Sequence, residues 1–411
     1  MVEAIEQFLS QRENGAYDRD GFDRYIAKRK LTLSCPVIHI TGSNGKGSTA
    51  YFLESIYRQA GYSVASFIKP CFYAVNECIR FNGEEISDAE LSKLFHDNEK
   101  DFDKFQLTAF EATVALAYRY FEQVKPDIAI IEAGMGGAID ATNLDDMDTR
   151  LAIITTVSLE HTNYLGTTLS QIALHKAGII KPNSSVLVGK LDDASLETIN
   201  AEAESLRAKV YRVEDYHYHH LVNGEYRFDY SFYKDLAVSS IAEYQVANAC
   251  LAIEATRILS AEFPVNEEQV RAGLLSGSLP GRLERFGRVV LDGAHNPEAI
   301  KSLCRCVYSA GKGKPVHVLF ASFRDKNIAV ELPDLDNRCA SITLTTFDHR
   351  RARKEEEYML YIADHPFVED PIAALKGLLK QHPEDTVLVT GSLYFVGVIR
   401  KAILSGDVDP K

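Results

Sequence analysis

A lysine set among glycines and hydroxyls is the first place in this chain where residue types and spacing suit a reaction. The stretch Thr41-Gly42-Ser43-Asn44-Gly45-Lys46-Gly47-Ser48 follows the apolar run Pro36–Ile40. It precedes a segment with Ala50, Leu53, Ile56, Tyr57 and Ala60 on one helical face, stopping at Gly61. A strand that passes through a glycine-rich turn into a helix curls backbone N–H groups around an anion, and the helix N-terminus adds a favourable field. In such a turn Lys46 reaches the β- and γ-phosphates of a nucleotide, and the Ser48 hydroxyl reaches Mg²⁺. The strict pattern G-x-x-x-x-G-K-[ST] is not met, because Thr41 stands four before Gly45 and Gly47 separates Lys46 from Ser48. The order of strand, loop, lysine, hydroxyl and helix is nevertheless intact. We read Gly42, Ser43, Asn44, Gly45, Lys46, Gly47 and Ser48 as a polyphosphate cradle.

Parallel sheets covered by helices must position such a loop, because short Val/Ile-rich runs alternate with helix-period segments. Strands are expected at 36–40, 128–133, 151–156 and 185–188, each nearly all apolar as burial on both faces requires. Helices are expected at 109–123 and 244–259, and Asn223-Gly224 between aromatic runs reads as a hairpin turn. Gly273–Gly281 reads as the interdomain linker. Beyond it, strands are expected at 288–291, 316–321, 341–345 and 386–390, and helices after Asn296-Pro297, Asp370-Pro371 and Gly391-Ser392. Two α/β domains follow, 1–280 and 281–411. On these elements, Glu132 ends an apolar strand, where a carboxylate is costly unless it faces a site. His161 follows another strand, and Asp292 sits at the carboxyl edge of a third, where ligands of open sheets collect. Position alone leaves Glu132 between a solvated strand end and a functional acid, His161 between a loop histidine and a ligand, and Lys176 a helix-surface lysine.

The chain has 411 residues, 46% of them hydrophobic and 25% charged, which is the composition of a globular protein of two or three domains. With 45 Lys+Arg against 58 Asp+Glu the net charge is −13, which argues against nucleic acid and anionic lipid as partners. No apolar run approaches the ~18 residues that cross a bilayer. The N-terminus is acidic and amphipathic, unlike a signal or transit peptide. Cys35, Cys71, Cys78, Cys250, Cys304, Cys306 and Cys339 are scattered and contain no C-x-x-C pair, so reduced thiols and a cytoplasmic location are expected.

Eight segments in order extend the picture. Ile38–Ser48 resembles the opening of the folylpolyglutamate synthase/dihydrofolate synthase family, a branch of the Mur ligases. The likeness continues in Glu132–Asn143, Glu160–Gly166, Lys176–Lys181, Pro280–Glu284, Asp292–Pro297, Asp325-Lys326 and Thr390–Tyr394. The resemblance implies a P-loop-type N-terminal ATP-binding domain with a mostly parallel sheet and a smaller Rossmann-like C-terminal α/β domain. It also implies an ATP-dependent ligase adding L-glutamate to a folate, to dihydropteroate or to both, through an acyl phosphate, in a monomer. Glu132 then matches a Mg²⁺-binding acid and His161 a histidine of a second Mg²⁺ site. Lys176 matches a lysine that becomes carbamylated and so turns into an anionic oxygen ligand. Asn248 matches an asparagine near the adenine, Arg282 reaches the phosphates, and Asp292 and His295 stand at the ribose and phosphate end.

The chain departs from the family at named positions. The usual Ser-Pro-His of the substrate loop is Lys69-Pro70-Cys71, the arginine after Gly-Gly is Ala138, the Asp of Asp-His is Glu160, and the Glu before Lys176 is His175. The tryptophan before Pro280 is Leu279. A protonated Lys69 repels the metal ion that a serine would help to bind, or substitutes for one cation by touching the γ-phosphate itself. These departures keep two alternatives in view: a diverged ligase joining an amino acid to another acid, and a nucleotide-binding homologue without catalysis.

Overall fold

A computed structural model describes residues 2–12, 19–69, 71–72, 74–222, 225–276 and 280–411, with backbone only at 2–4 and 218–222. The chain divides into two compact units. The first comprises 1–217, 229–236 and 247–277; the second comprises 218–228, 237–246 and 278–411.

The first unit is built on eight strands: β1 Val37–Thr41, β2 Val64–Phe67, β3 Ile79–Phe81, β4 Glu84–Glu85, β5 Ile128–Glu132, β6 Thr149–Ile154, β7 Ser185–Val188 and β8 Lys209–Arg212. Their order is β4-β3-β2-β5-β1-β6-β7-β8. The pairs from β2 to β8 are parallel, and β3 and β4 join antiparallel at one edge. β1 and β5 are buried at every position, which is why no hydrophobic alternation marks them in the sequence. Register places Ile40 beside Glu132 on one side and Thr41 beside Ile154 on the other. The carboxyl ends of β5 and β6 therefore flank the loop that leaves β1. A helix at Ala109–Val124, started by the Thr108/Glu111 capping box, covers the sheet and buries Glu111.

Three further strands, β9 Tyr216–Val222, β10 Glu225–Tyr230 and β11 Tyr233–Val238, form a sheet in the order β11-β10-β9. The expected turn at Asn223-Gly224 lies outside the described residues. His217, on the edge strand β9, is exposed.

The linker expectation needs correcting. Gly273 to Leu275 belong to a helix, Glu267–Leu275, and 277–279 lie outside the described residues. Gly273 reads as punctuation, but its role is close packing: a Cβ there would sit 2.6 Å from the Ile56 Cα. In the second unit, β12 Arg282–Phe286, β13 Val289–Asp292, β14 Val316–Phe320, β15 Ser341–Thr345, β16 Phe367–Val368 and β17 Thr386–Thr390 take the order β12-β13-β17-β14-β15-β16. All pairs are parallel except β12 with β13. Asn296 and Asp370 cap helices that begin at Pro297 and Pro371.

The cysteine expectation also needs correcting. Cys71 and Cys78 are joined in a disulfide, with Cα atoms 5.4 Å apart, while Cys35, Cys250, Cys304, Cys306 and Cys339 are free. A short 3₁₀ turn at Val75–Cys78 folds the chain back on itself, a return that a seven-residue spacing does not announce.

Candidate active site

The phosphate loop and its neighbours form one cluster within the first unit. Lys46 opens the helix Lys46–Gln59, whose first amides have no intrahelical partner and point out of its N-terminus. Gly45 caps that helix at φ +86°, a conformation that favours glycine, and its missing Cβ leaves room for Asn248 Oδ1. Asn248 thus touches the loop itself. The loop is braced from the end of β6: Ser43 N–H donates to the Thr156 carbonyl (2.9 Å), Asn44 N–H to Thr156 Oγ1 (2.9 Å), and Thr155 Oγ1 to the Asn44 carbonyl (2.5 Å). Lys46 arches back over the loop, with Nζ donating to the Gly42 carbonyl at 2.7 Å. Ser48 is buried at the start of the helix.

Glu132 is 5% exposed, so the solvated reading of this strand end is set aside. Its Oε2 accepts the Lys69 N–H at 2.9 Å, and a Cβ on Gly47 would meet that oxygen at 3.2 Å and the Lys69 carbonyl at 3.3 Å. The carboxylate therefore stands directly against the phosphate loop. Glu132 and Ser48 each offer a hard oxygen donor, the kind Mg²⁺ takes.

Lys176, near the end of the helix Leu169–Ala177, is fully buried rather than on the helix surface. Its Nζ lies 2.8 Å from Glu160 Oε1. Burial pulls the lysine below its ordinary pKa against the attraction of Glu160, and Lys46 adds to that pull. Burial opposes the charge of Glu160 too, but Lys176 and Lys46 prevail and hold its carboxyl at about 2. As an ammonium, Lys176 does not fit a metal ion; as a carbamate it would. His161 adjoins Glu160 at φ +46° and is exposed.

In the second unit Asp292 is buried and braced. It accepts from the Tyr244 hydroxyl (2.7 Å), the Leu283 N–H (2.9 Å) and the Ala294 N–H (2.9 Å), and burial raises its carboxyl despite the Arg282 guanidinium. His295 Nδ1 pairs with the Gly293 carbonyl at 2.8 Å. Glu284, two residues after Arg282, is engaged by Arg400 at 2.9 Å.

The sequence names Lys46, Glu132, Lys176 and Asn248 as candidates but not Glu160, Thr155 or Thr156. Glu160 carried a signal, since it directly precedes His161. The two threonines carried only their place after an apolar strand.

The fold and loop define a class. Residues 40–256 match the Mur ligase middle domain and 281–393 the Mur ligase glutamate ligase domain. Within that class the chain belongs to the folylpolyglutamate synthase/dihydrofolate synthase family. It is 33% identical to the dihydrofolate synthase/folylpolyglutamate synthase of Bacillus subtilis, over 89% of this chain and 90% of the relative. A folylpolyglutamate synthase structure from Thermotoga maritima superposes with TM-score 0.84 at 28% identity, covering 98% of this chain and 97% of that one. An Escherichia coli FolC structure in complex with DHPP and ADP superposes with TM-score 0.87 at 26% identity, covering 99% and 98%.

Proposed function

We propose that this ATP-dependent glutamate ligase uses the loop Gly42–Ser48 to hold the ATP polyphosphate, with Lys46 on its terminal phosphates. The acid it activates is the carboxylate of a folate or of dihydropteroate. A free carboxylate is a poor electrophile because its leaving group is bad, so its oxygen first attacks the γ-phosphorus. The bond from that phosphorus to the β–γ bridging oxygen breaks, and ADP departs with the electron pair. The amine of L-glutamate, having shed a proton, then attacks the acyl carbon; the C–O bond breaks, phosphate leaves and an amide remains. Phosphoryl transfer is chiefly a matter of positioning and charge.

Ser48 and Glu132 would hold Mg²⁺, and His161 with a carbamylated Lys176 would hold a second ion. Bound there, Mg²⁺ supplies positive charge that polarises phosphoryl oxygens. The chain's own groups do the rest: Lys46 leaves the Gly42 carbonyl for phosphate oxygens, and the free amides at the start of the helix bind the same anion. Asn248 keeps the loop in register through Gly45. Within the second unit, Asp292 fixes the Leu283 and Ala294 amides.

The observation that carries this reading is the convergence of Lys46, Gly47 and Glu132 at one end of the β1 loop. The test is ADP release with L-glutamate and either tetrahydrofolate or dihydropteroate. Release that requires glutamate and one of these pterins is expected. ATP binding without ADP release for either pterin would sink the proposal and favour a homologue without catalysis. A cytoplasmic location is part of this reading, and no described helix is long and apolar enough to cross a membrane.

A further inference from the structure

Two histidines and an aspartate of the second unit converge at the sheet edge opposite to Asp292. His317 is the second residue of β14, Asp385 immediately precedes β17, and His382 follows the helix Pro371–Gln381. Strands β13, β14 and β17 run parallel and Asp292 ends β13, so the trio lies at the amino ends of these strands. His317 is 5% exposed, and its Nε2 lies 3.1 Å from Asp385 Oδ2. His382 Nδ1 lies 3.9 Å from the same oxygen, and the two imidazole rings stack with centroids 3.5 Å apart. One ligand atom of each residue falls within 4.8 Å of the other two. Ligands at about 2.0–2.1 Å from a tetrahedral ion stand roughly 3.3 Å from one another, so small rotations bring the trio to coordination distance.

The surroundings hold these groups in place. Arg288 donates to the carbonyl oxygens of His382 (2.9 Å) and Asp385 (3.3 Å), which fixes the turn that carries two of the three. Ser341 Oγ lies 2.8 Å from His317 Nδ1. With Nδ1–H donating to that hydroxyl, the Nε2 lone pair faces Asp385, the tautomer that a metal-ligating imidazole takes. Two acceptors then meet at 3.1 Å, an arrangement that needs a cation between them. A proton on His317 Nε2 serves that pair alone, and a second proton on His382 would set like charges on two stacked rings. One divalent ion satisfies all three donors at once.

We propose that His317 Nε2, His382 Nδ1 and Asp385 Oδ2 form a site for a divalent transition ion of the Zn²⁺ type, with the fourth position left to water. Imidazole nitrogen selects such an ion over Mg²⁺ and Ca²⁺, which take oxygen ligands. The ion ties the start of β14 to the turn before β17 and so braces the second unit. The site is independent of the phosphate-loop reading above.

The test titrates Zn²⁺ by calorimetry into the metal-stripped full chain, with Mg²⁺ kept in excess, for the unaltered protein, His382→Gln and Asp385→Asn. One tightly bound Zn²⁺ is expected in the unaltered protein, with affinity about tenfold weaker or more in each variant. The melting temperature should rise with Zn²⁺ in the unaltered protein and stay fixed in the variants. X-ray absorption of the zinc-loaded unaltered protein, which depends on no variant, should show nitrogen and oxygen ligands at about 2.0–2.1 Å and no sulfur at about 2.3 Å. Absence of Zn²⁺ binding, affinity unchanged in either variant, or a sulfur shell from the free cysteines each overturns the proposal.

Discussion

Lys176 Nζ lies 2.8 Å from Glu160 Oε1, with the lysine side chain 1% and the glutamate side chain 13% exposed. A buried ion pair of this kind is costly to break on one side only, because the survivor is left charged and unpaired. Carbamylation of Lys176 must start from the neutral amine, which burial favours and Glu160 opposes. The product would set two anions side by side unless cations lie between them. With ¹³C-bicarbonate, a carbamate resonance is therefore expected when Mg²⁺ and ADP are present, and its loss is expected on chelation and in Lys176→Arg. Absence of the resonance under every condition would leave Lys176 a structural ion-pair partner.

Lys46 and Glu132 meet the same loop but fail differently when altered. Lys46→Ala removes a charge that the phosphates need, and ADP release should fall by about 10³-fold or more, with ATP affinity reduced. Glu132→Gln keeps an oxygen that still accepts the Lys69 N–H, so the fold should survive while turnover falls to a comparable extent. Steady-state rates of ADP release alongside thermal melting separate the two effects. A Glu132→Gln enzyme with near-normal turnover would remove the carboxylate from the mechanism.

Gly45 and Asn248 test whether the loop needs its shape. Gly45→Ala forces a side chain into positive φ and against Asn248 Oδ1; backbone strain of this kind costs on the order of 1–3 kcal/mol. Weaker binding of β,γ-methylene-ATP is expected, with part of the loss recovered when Asn248→Ala is added. Strict additivity of the two changes would mean that the contact does not shape the loop.

How much of this was legible in the sequence differs from residue to residue. The strands 185–188, 341–345 and 386–390 have the predicted limits, because a fully buried parallel strand is an unbroken apolar run with polar ends. Glu132 was legible for the converse reason: a carboxylate closing such a run needs an explanation. Lys176 was not legible from its own neighbourhood, since helix periodicity does not show whether a lysine faces solvent or a buried glutamate sixteen residues earlier. Gly273 misled because a glycine that lets two helices touch and a glycine that breaks a helix are the same letter. The Cys71–Cys78 bond depends on where a 3₁₀ turn returns the chain, and no spacing rule encodes that.

That disulfide gives a direct count. Of seven cysteines, five are free. Ellman titration in denaturant without reductant should find five thiols, and seven after reduction. Seven before reduction would restore the expectation of an all-thiol protein.

Glu331, in the helix Ile328–Asp336, is 0% exposed, and neither of its carboxylate oxygens has a hydrogen-bond partner among the described residues. Burial pushes its carboxyl up to about 7, against the pull of Lys326 and Arg353 and with a small push from Asp325. The folded protein therefore keeps this proton to near pH 7, while the unfolded chain releases it near the ordinary value of 4.5. Native protein binds the extra proton between those limits, so stability falls as pH rises through that window. The contribution is fully present below pH 4.5 and gone above about pH 7, an amount of about 3 kcal/mol at most. Glu331→Gln is neutral throughout and should flatten the decline. Its Tm should match the unaltered protein near pH 4.5 and exceed it by several degrees at pH 8, measured by calorimetry at both pH values. Parallel Tm profiles across the window would mean that Glu331 is ionised in the folded state and paired in solution.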